Sequence, residues 1–209
     1  IDVSGNATFG GTLDVDGTST FDGITNAGNF ETDGGSIKLD GNYPTGTDNV
    51  ALGNDALSDG SLSGAGNIAI GDSAAKALTS GSNAIAIGRD AMSAAVFTGS
   101  DAVGVGRSTL AALTSGSNNV AVGALAGTSL TEGTQNVLLG TSVGDALTDA
   151  DFNVAVGHAS LTTDVLGSRS TAVGYNTLGS QNFTTATNSN NVAVGYDAGK
   201  SITTGIQNT

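Results

Sequence analysis

The chain has 209 residues, 33 of them Gly, with one Pro and no Cys or Trp, and it carries a formal charge of −13 from 19 acidic and 6 basic side chains. With no basic cluster it is not built to hold nucleic acid, whose phosphates need Lys and Arg. The lack of Cys excludes disulfide and thiolate chemistry, and no run of about 18 apolar residues exists to span a bilayer.

Residues 1–42 repeat with a period of 12: V-S-G-N-A-T-F-G-G at 3–11 becomes V-D-G-T-S-T-F-D-G at 15–23, and Gly35 continues the series Gly11, Gly23. Val3, Val15, Phe9, Phe21 and Leu13 form its apolar columns. These read as short strands between Gly turns, with too few hydrophobes for a core within one chain, so the segment is expected to intertwine with other copies or pack with them as a trimer. Residues 43–48, around Pro44, read as a linker.

From residue 49 to 209 a second repeat takes over. Its closing glycines are Gly53, Gly71, Gly88, Gly106, Gly123, Gly140, Gly157, Gly174 and Gly195, mostly 17 or 18 apart. Periods of this size signal a solenoid. One and three residues before each Gly stand Val, Ile or Leu (Thr171 excepted), as in Val120 and Val122, a period-2 pattern that predicts a short strand. Between them lies a small column: Ala51, Ala69, Ala86, Ala121, Ala155, Ala172 and Ala193. The larger residues are expected to fill the coil. The alanines would then need a cover on the outside, and an identical chain supplies it, which predicts a homotrimer with the Ala column at its axis.

The second half of each repeat has small residues three after the Gly (Ala56, Ala74, Ala91, Thr109, Ala126) and apolar ones further on (Leu78, Leu113, Leu130, Leu147, Ile202). That pattern predicts a second strand per coil, followed by turns such as L-T-S-G at 78–81 and 113–116. About nine coils at roughly 4.8 Å per stacked strand make a rod near 40 Å long. Asn49, Asn67, Asn119, Asn136, Asn153 and Asn191 are expected to stack as an amide ladder at one corner.

N-V-A-L-G, N-I-A-I-G and N-V-A-V-G, in nine registered copies over residues 49–209, resemble the head repeat of YadA-like trimeric autotransporter adhesins. The resemblance implies a left-handed parallel β-roll assembled as a homotrimer, intertwined or side by side. The segment V-S-G-N-A-T-F-G-G-T-L-D-V-D-G-T-S-T-F looks like the shaft repeats of phage tail fibres. Together they point to a structural and adhesive section of a phage tail fibre or receptor-binding protein. The expected place is the extracellular virion fibre, and the expected partners are further copies, other fibre components, and a glycan or protein receptor on the host cell. A bacterial adhesin head on the cell surface is the alternative, and a polysaccharide-degrading tailspike a weaker one.

No catalytic residue is expected. His158 is the one histidine, so a Ser-His-Asp triad or His-rich metal site cannot form within one chain. Asp145, Asp149 and Asp151 crowd one turn, yet without a calcium-roll nonapeptide they read as a solvated loop rather than a metal site. Neither cofactor nor metal is predicted. Thr79, Thr114, Thr131 and Thr148 form a single interrupted column, short of the paired array an ice-binding face needs. Recognition is expected where the period breaks, between Gly174 and Gly195, where four residues are added. Tyr175, Asn182, Phe183 and Tyr196 there are the candidate carbohydrate contacts, because aromatic faces and amides suit a sugar.

Overall fold

A computed structural model of the chain describes residues 47–94 and 96–209, all within one compact unit. The period-12 segment at 1–42 and most of the 43–48 linker lie outside the described residues.

Each V-A-V or I-A-I triplet forms a three-residue strand: β1 (Val50–Leu52), β2 (Ile68–Ile70), β3 (Ile85–Ile87), β4 (Val103–Val105), β5 (Val120–Val122), β6 (Val137–Leu139), β7 (Val154–Val156), β9 (Thr171–Val173) and β11 (Val192–Val194). Two shorter strands, β8 (Gly167–Ser168) and β10 (Thr187–Asn188), pair with each other. The nine triplets stack as one parallel sheet in the order β1-β2-β3-β4-β5-β6-β7-β9-β11. Equivalent residues face each other, as in Val50↔Ile68, Ala86↔Gly104 and Val154↔Thr171. One sequence period is therefore one turn of a β-solenoid, with about eight turns between the first strand and the last. The described residues contain no helix.

The coil is filled in the opposite sense to the sequence expectation. Ala69, Ala86, Ala121, Ala155 and Ala172 are wholly buried inside it, with Ala193 nearly so and Ala51 packed against the same core. The flanking Val and Ile point outward and are half-buried or exposed. A trimer-axis role for the Ala column is thereby excluded. The reason is volume: the opposite wall sends in Leu57, Met92, Leu110, Leu161 and Leu178 from one column and Leu78, Phe97, Leu113, Leu130 and Leu147 from another, all fully buried. Only small residues fit against them. A Cβ on Gly104, at the centre of β4, would lie 3.1 Å from Met92 Cγ, which shows how close the two walls come. Burial of each such Leu contributes about 2 kcal/mol, and the repeat adds these contributions in series.

The second half of each coil is also not a strand. After each closing Gly the chain runs through turns in which alternate residues take left-handed φ, for example Asp55 (55°) and Leu57 (48°), Ser108 (54°) and Leu110 (50°), and Asn176 (51°) and Leu178 (52°). Leucine pays a steric cost there of about 1 kcal/mol. The buried side chain offsets it, because this backbone is what aims Leu110 and Leu178 inward. Among the described residues, extended pairing outside the nine-stranded sheet is confined to β8 with β10 and two isolated bridges, Leu78↔Phe97 and Ser82↔Ser100.

The closing glycines are required by the stacking. Gly123 has φ +132°, and a Cβ there would lie 2.3 Å from the carbonyl oxygen of Gly140 in the next coil. The Asn ladder forms as expected and is buried. Asn136 Oδ1 accepts from the Asn153 N–H (2.9 Å), while Asn136 Nδ2 donates across the coil to the Ala150 carbonyl (2.7 Å). Asn67, Asn119, Asn153 and Asn191 repeat both bonds. Each Asn thus satisfies one donor along the stack and one acceptor across it, where water does not reach.

Candidate functional site

Each row of the sheet presents four residues outward: the one before the Asn, the two strand flanks, and the one after the closing Gly. In the β7 row these are Phe152, Val154, Val156 and His158, with Phe152, Val154 and His158 exposed. Stacking nine rows gives a face with an apolar Val/Ile centre and two edges of mixed chemistry. Val122 is 39% exposed, Val192 42% and Val194 69%. A contiguous apolar face of this kind marks an interaction surface, and among the described residues it is the prime candidate for one.

Rings gather on the edge that follows the closing glycines. His158 stacks on Tyr175 with centroids 5.4 Å apart and planes 10° apart, and Tyr175 stacks on Tyr196 at 5.0 Å and 8°. The distances match the spacing of stacked strands, so one ring per coil builds the ladder. On the opposite edge the Arg169 guanidinium lies 5.0 Å over the Phe152 ring, and its Nε donates to Asn188 Oδ1 (3.0 Å).

The four predicted carbohydrate contacts do not form one site. Both faces of Tyr175 are occupied, by His158 and Tyr196, so no sugar can stack on it. Tyr196 keeps one free face. Phe183 is buried, at 6% exposure, and not displayed to a ligand. Its N–H donates to Asp164 Oδ1 (2.9 Å). Asn182 is half-buried, and its N–H donates to the Thr203 carbonyl (2.9 Å). Its Oδ1 is buried with no partner.

The break in the period is absorbed in two steps. Leu166 and Phe183 are still bonded at an offset of 17, Gly167 faces Thr187 at 20, and Thr171 faces Val192 at 21. Thr184, Thr185 and Ala186 are pushed out and exposed. Beneath them the coil interior turns polar. Asp164 is fully buried and accepts from Gln181 Nε2, the Phe183 N–H and the Gly167 N–H. Asn191 Nδ2 donates to Gln181 Oε1 (2.7 Å), and the Ser170 and Ser189 hydroxyls bond each other. This network fastens the insertion to the stack, and the sequence reading missed it. The signal available was Asp164 in a register position otherwise held by uncharged residues, Gly81, Gly116 and Gly133 lying nearby in the equivalent turns.

The acidic turn does not converge on one point. Asp145 Oδ1 accepts from Thr162 Oγ1 (2.6 Å), and Asp151 Oδ1 accepts from the Thr134 N–H and Oγ1. Among the described residues no group of three His, Cys, Asp or Glu is placed to hold a metal ion. The Thr column is likewise committed to the stack: Thr79, Thr114, Thr131 and Thr148 each donate Oγ1 to a carbonyl of the following coil at 3.1–3.3 Å. No described helix is long and apolar enough to cross a membrane.

Comparisons of the chain with protein-family models, with curated proteins and with solved structures returned no match.

Proposed function

We propose that this chain is a rigid, non-catalytic section of a trimeric surface fibre, with the outward Val/Ile face of each copy turned toward a common axis. The observation that carries the reading is that face itself, continuous over nine strands and open in the single chain. An identical chain offers an identical apolar face, and cyclic symmetry lets three copies close without leaving a free one. The trimer follows from the Val/Ile columns, not from the Ala column. Left-handed winding, implied by the adhesin-head resemblance, belongs to the same proposal.

Attachment to a host cell is the function such a rod serves best. The N-terminal repeats favour a phage tail fibre or receptor-binding protein, with a bacterial adhesin head as the alternative. Threefold presentation raises avidity without strong individual contacts. A net charge of −13 per copy disfavours contact with an anionic surface through general electrostatics, so receptor contact is assigned to a local feature. Thr184, Thr185 and Ala186, the exposed part of the one insertion between Gly174 and Gly195, are that feature. The test is binding of labelled protein to intact bacteria, compared with a variant lacking Thr184–Ala186. Saturable binding lost in the variant is expected. Equal binding by both would remove the insertion from the account, and no binding to any cell surface by a trimeric protein would leave a spacer without adhesive function.

A further inference from the structure

In three rows of the strand face the two edges are chemically matched. In the β4 row one edge is Asp101 and the other Arg107, both exposed. In the β7 row they are Phe152 and His158, and in the β9 row Arg169 and Tyr175. Six residues separate the members of each pair, with a three-residue strand between them, a span of at most about 20 Å, and no ion pair joins Asp101 to Arg107 within one copy. Arg107 is in no ion pair; among the described residues the one ion pair joins Lys200 to Asp197. Asp101 accepts from Asn83 Nδ2 through Oδ1, which leaves Oδ2 to receive a further donor.

Resting on the trimer reading, we infer that a second copy of this chain covers each face in register, the Arg107 edge of one copy meeting the Asp101 edge of the next. A rotation about an axis parallel to the stack keeps every row at its own height. It brings the trailing edge of one copy against the leading edge of its neighbour. Row for row, Arg107 then meets Asp101, Tyr175 meets Arg169 and His158 meets Phe152: an ion pair, a guanidinium that can donate to the Tyr175 hydroxyl since both faces of that ring are already stacked, and two rings. No row sets like charges together. Sliding the neighbour by one coil in one direction would place Asp72 against Asp48. Sliding it the other way would keep an ion pair, Arg89 against Asp101, while setting Arg107 against Asn118 and His158 against Arg169. The apolar centre thus drives association, closure of the ring keeps the rows level, and the edges decide which side chains meet.

A charge swap at low ionic strength tests this, since exposed ion pairs are screened by salt. Arg107→Asp is expected to shift trimer dissociation to roughly 10-fold higher protein concentration, because three like-charged contacts replace three pairs. Asp101→Arg/Arg107→Asp is expected to restore the wild-type value. Restoration points to contact between chains, since no ion pair joins the two positions within one. The chain has no Cys, so Asp101→Cys/Arg107→Cys treated with a short bismaleimide provides a second readout. A covalent trimer is expected on a denaturing gel, and none from Asp101→Cys/His158→Cys, whose positions are three coils apart. A trimeric wild type that Arg107→Asp does not weaken, or that gives no covalent trimer at 101 and 107, would overturn the pairing while leaving the trimer intact. A monomeric wild type would overturn both.

Discussion

Leu138 occupies the space that a side chain at Gly127 would need: a Cβ built on Gly127 would lie 2.8 Å from Leu138 Cδ1. Gly144, one coil on, is in the same relation, its Cβ position 3.0 Å from Leu138 Cδ2. Leu138 replaces the Ala that most coils place at the strand centre, and Gly127 and Gly144 replace the Leu, Met or Ala that most coils place on the facing wall. Volume removed from one wall is returned by the other, so the coil keeps its width.

That exchange makes the two walls energetically coupled. Leu138→Ala is expected to destabilise the stack by about 2–5 kcal/mol through the cavity it leaves. Leu138→Ala/Gly127→Leu is expected to recover about 1–3 kcal/mol of that loss, since it recreates the pairing of neighbouring coils. Denaturant midpoints of the wild type, the two single variants and the double variant measure the coupling.

Two closing glycines separate backbone strain from collision. Gly123→Ala would set a Cβ 2.3 Å from the Gly140 carbonyl oxygen, and it is expected to cost about 4 kcal/mol or more. Gly195 has φ +124°, but its nearest neighbour for a Cβ is Ala198 at 3.9 Å, so Gly195→Ala is expected to cost only the strained φ, about 1–3 kcal/mol. Thermal unfolding of the two variants side by side checks the difference.

Asn136→Ala leaves the Asn153 N–H and the Ala150 carbonyl buried without partners. The expected loss is about 2–4 kcal/mol, from two unsatisfied groups at 1–3 kcal/mol each with partial relaxation. Hydrogen exchange at the Asn153 amide is expected to accelerate as the ladder opens there. Unchanged protection of that amide would remove the ladder from the account of stability.

How much of this was legible depends on what each residue type encodes. The period, the strands and their parallel stacking follow from β-branched residues recurring around each Gly, and the Asn ladder from a short amide repeated at one register. Which face turns inward was not legible from the triplet alone. V-A-V is apolar on both sides, and the deciding volume lies across the coil in Leu110, Leu161 and their neighbours. Those leucines stand on left-handed backbone that leucine seldom adopts, so the alternation rules for helix or strand did not place them. Tyr175 and Tyr196 were found as neighbours one coil apart. That they stack on each other, rather than wait for a ligand, depends on ring orientation, which spacing does not carry.

Outward valines set association apart from folding. Val122 is 39% exposed, so Val122→Asp is expected to change the stability of the single coil stack by no more than about 0.5 kcal/mol. In the trimer it would bring three carboxylates into an apolar centre. Mass in solution is expected to fall from three chains to one, with the β-sheet circular dichroism of the stack unchanged.

The most direct test is the mass of the wild-type protein in solution, by light scattering on a size-exclusion column. Three times 20.2 kDa is the predicted value, with the Val/Ile face covered by identical copies. A stable monomer of 20.2 kDa would contradict it, leaving that face open to water along all nine strands.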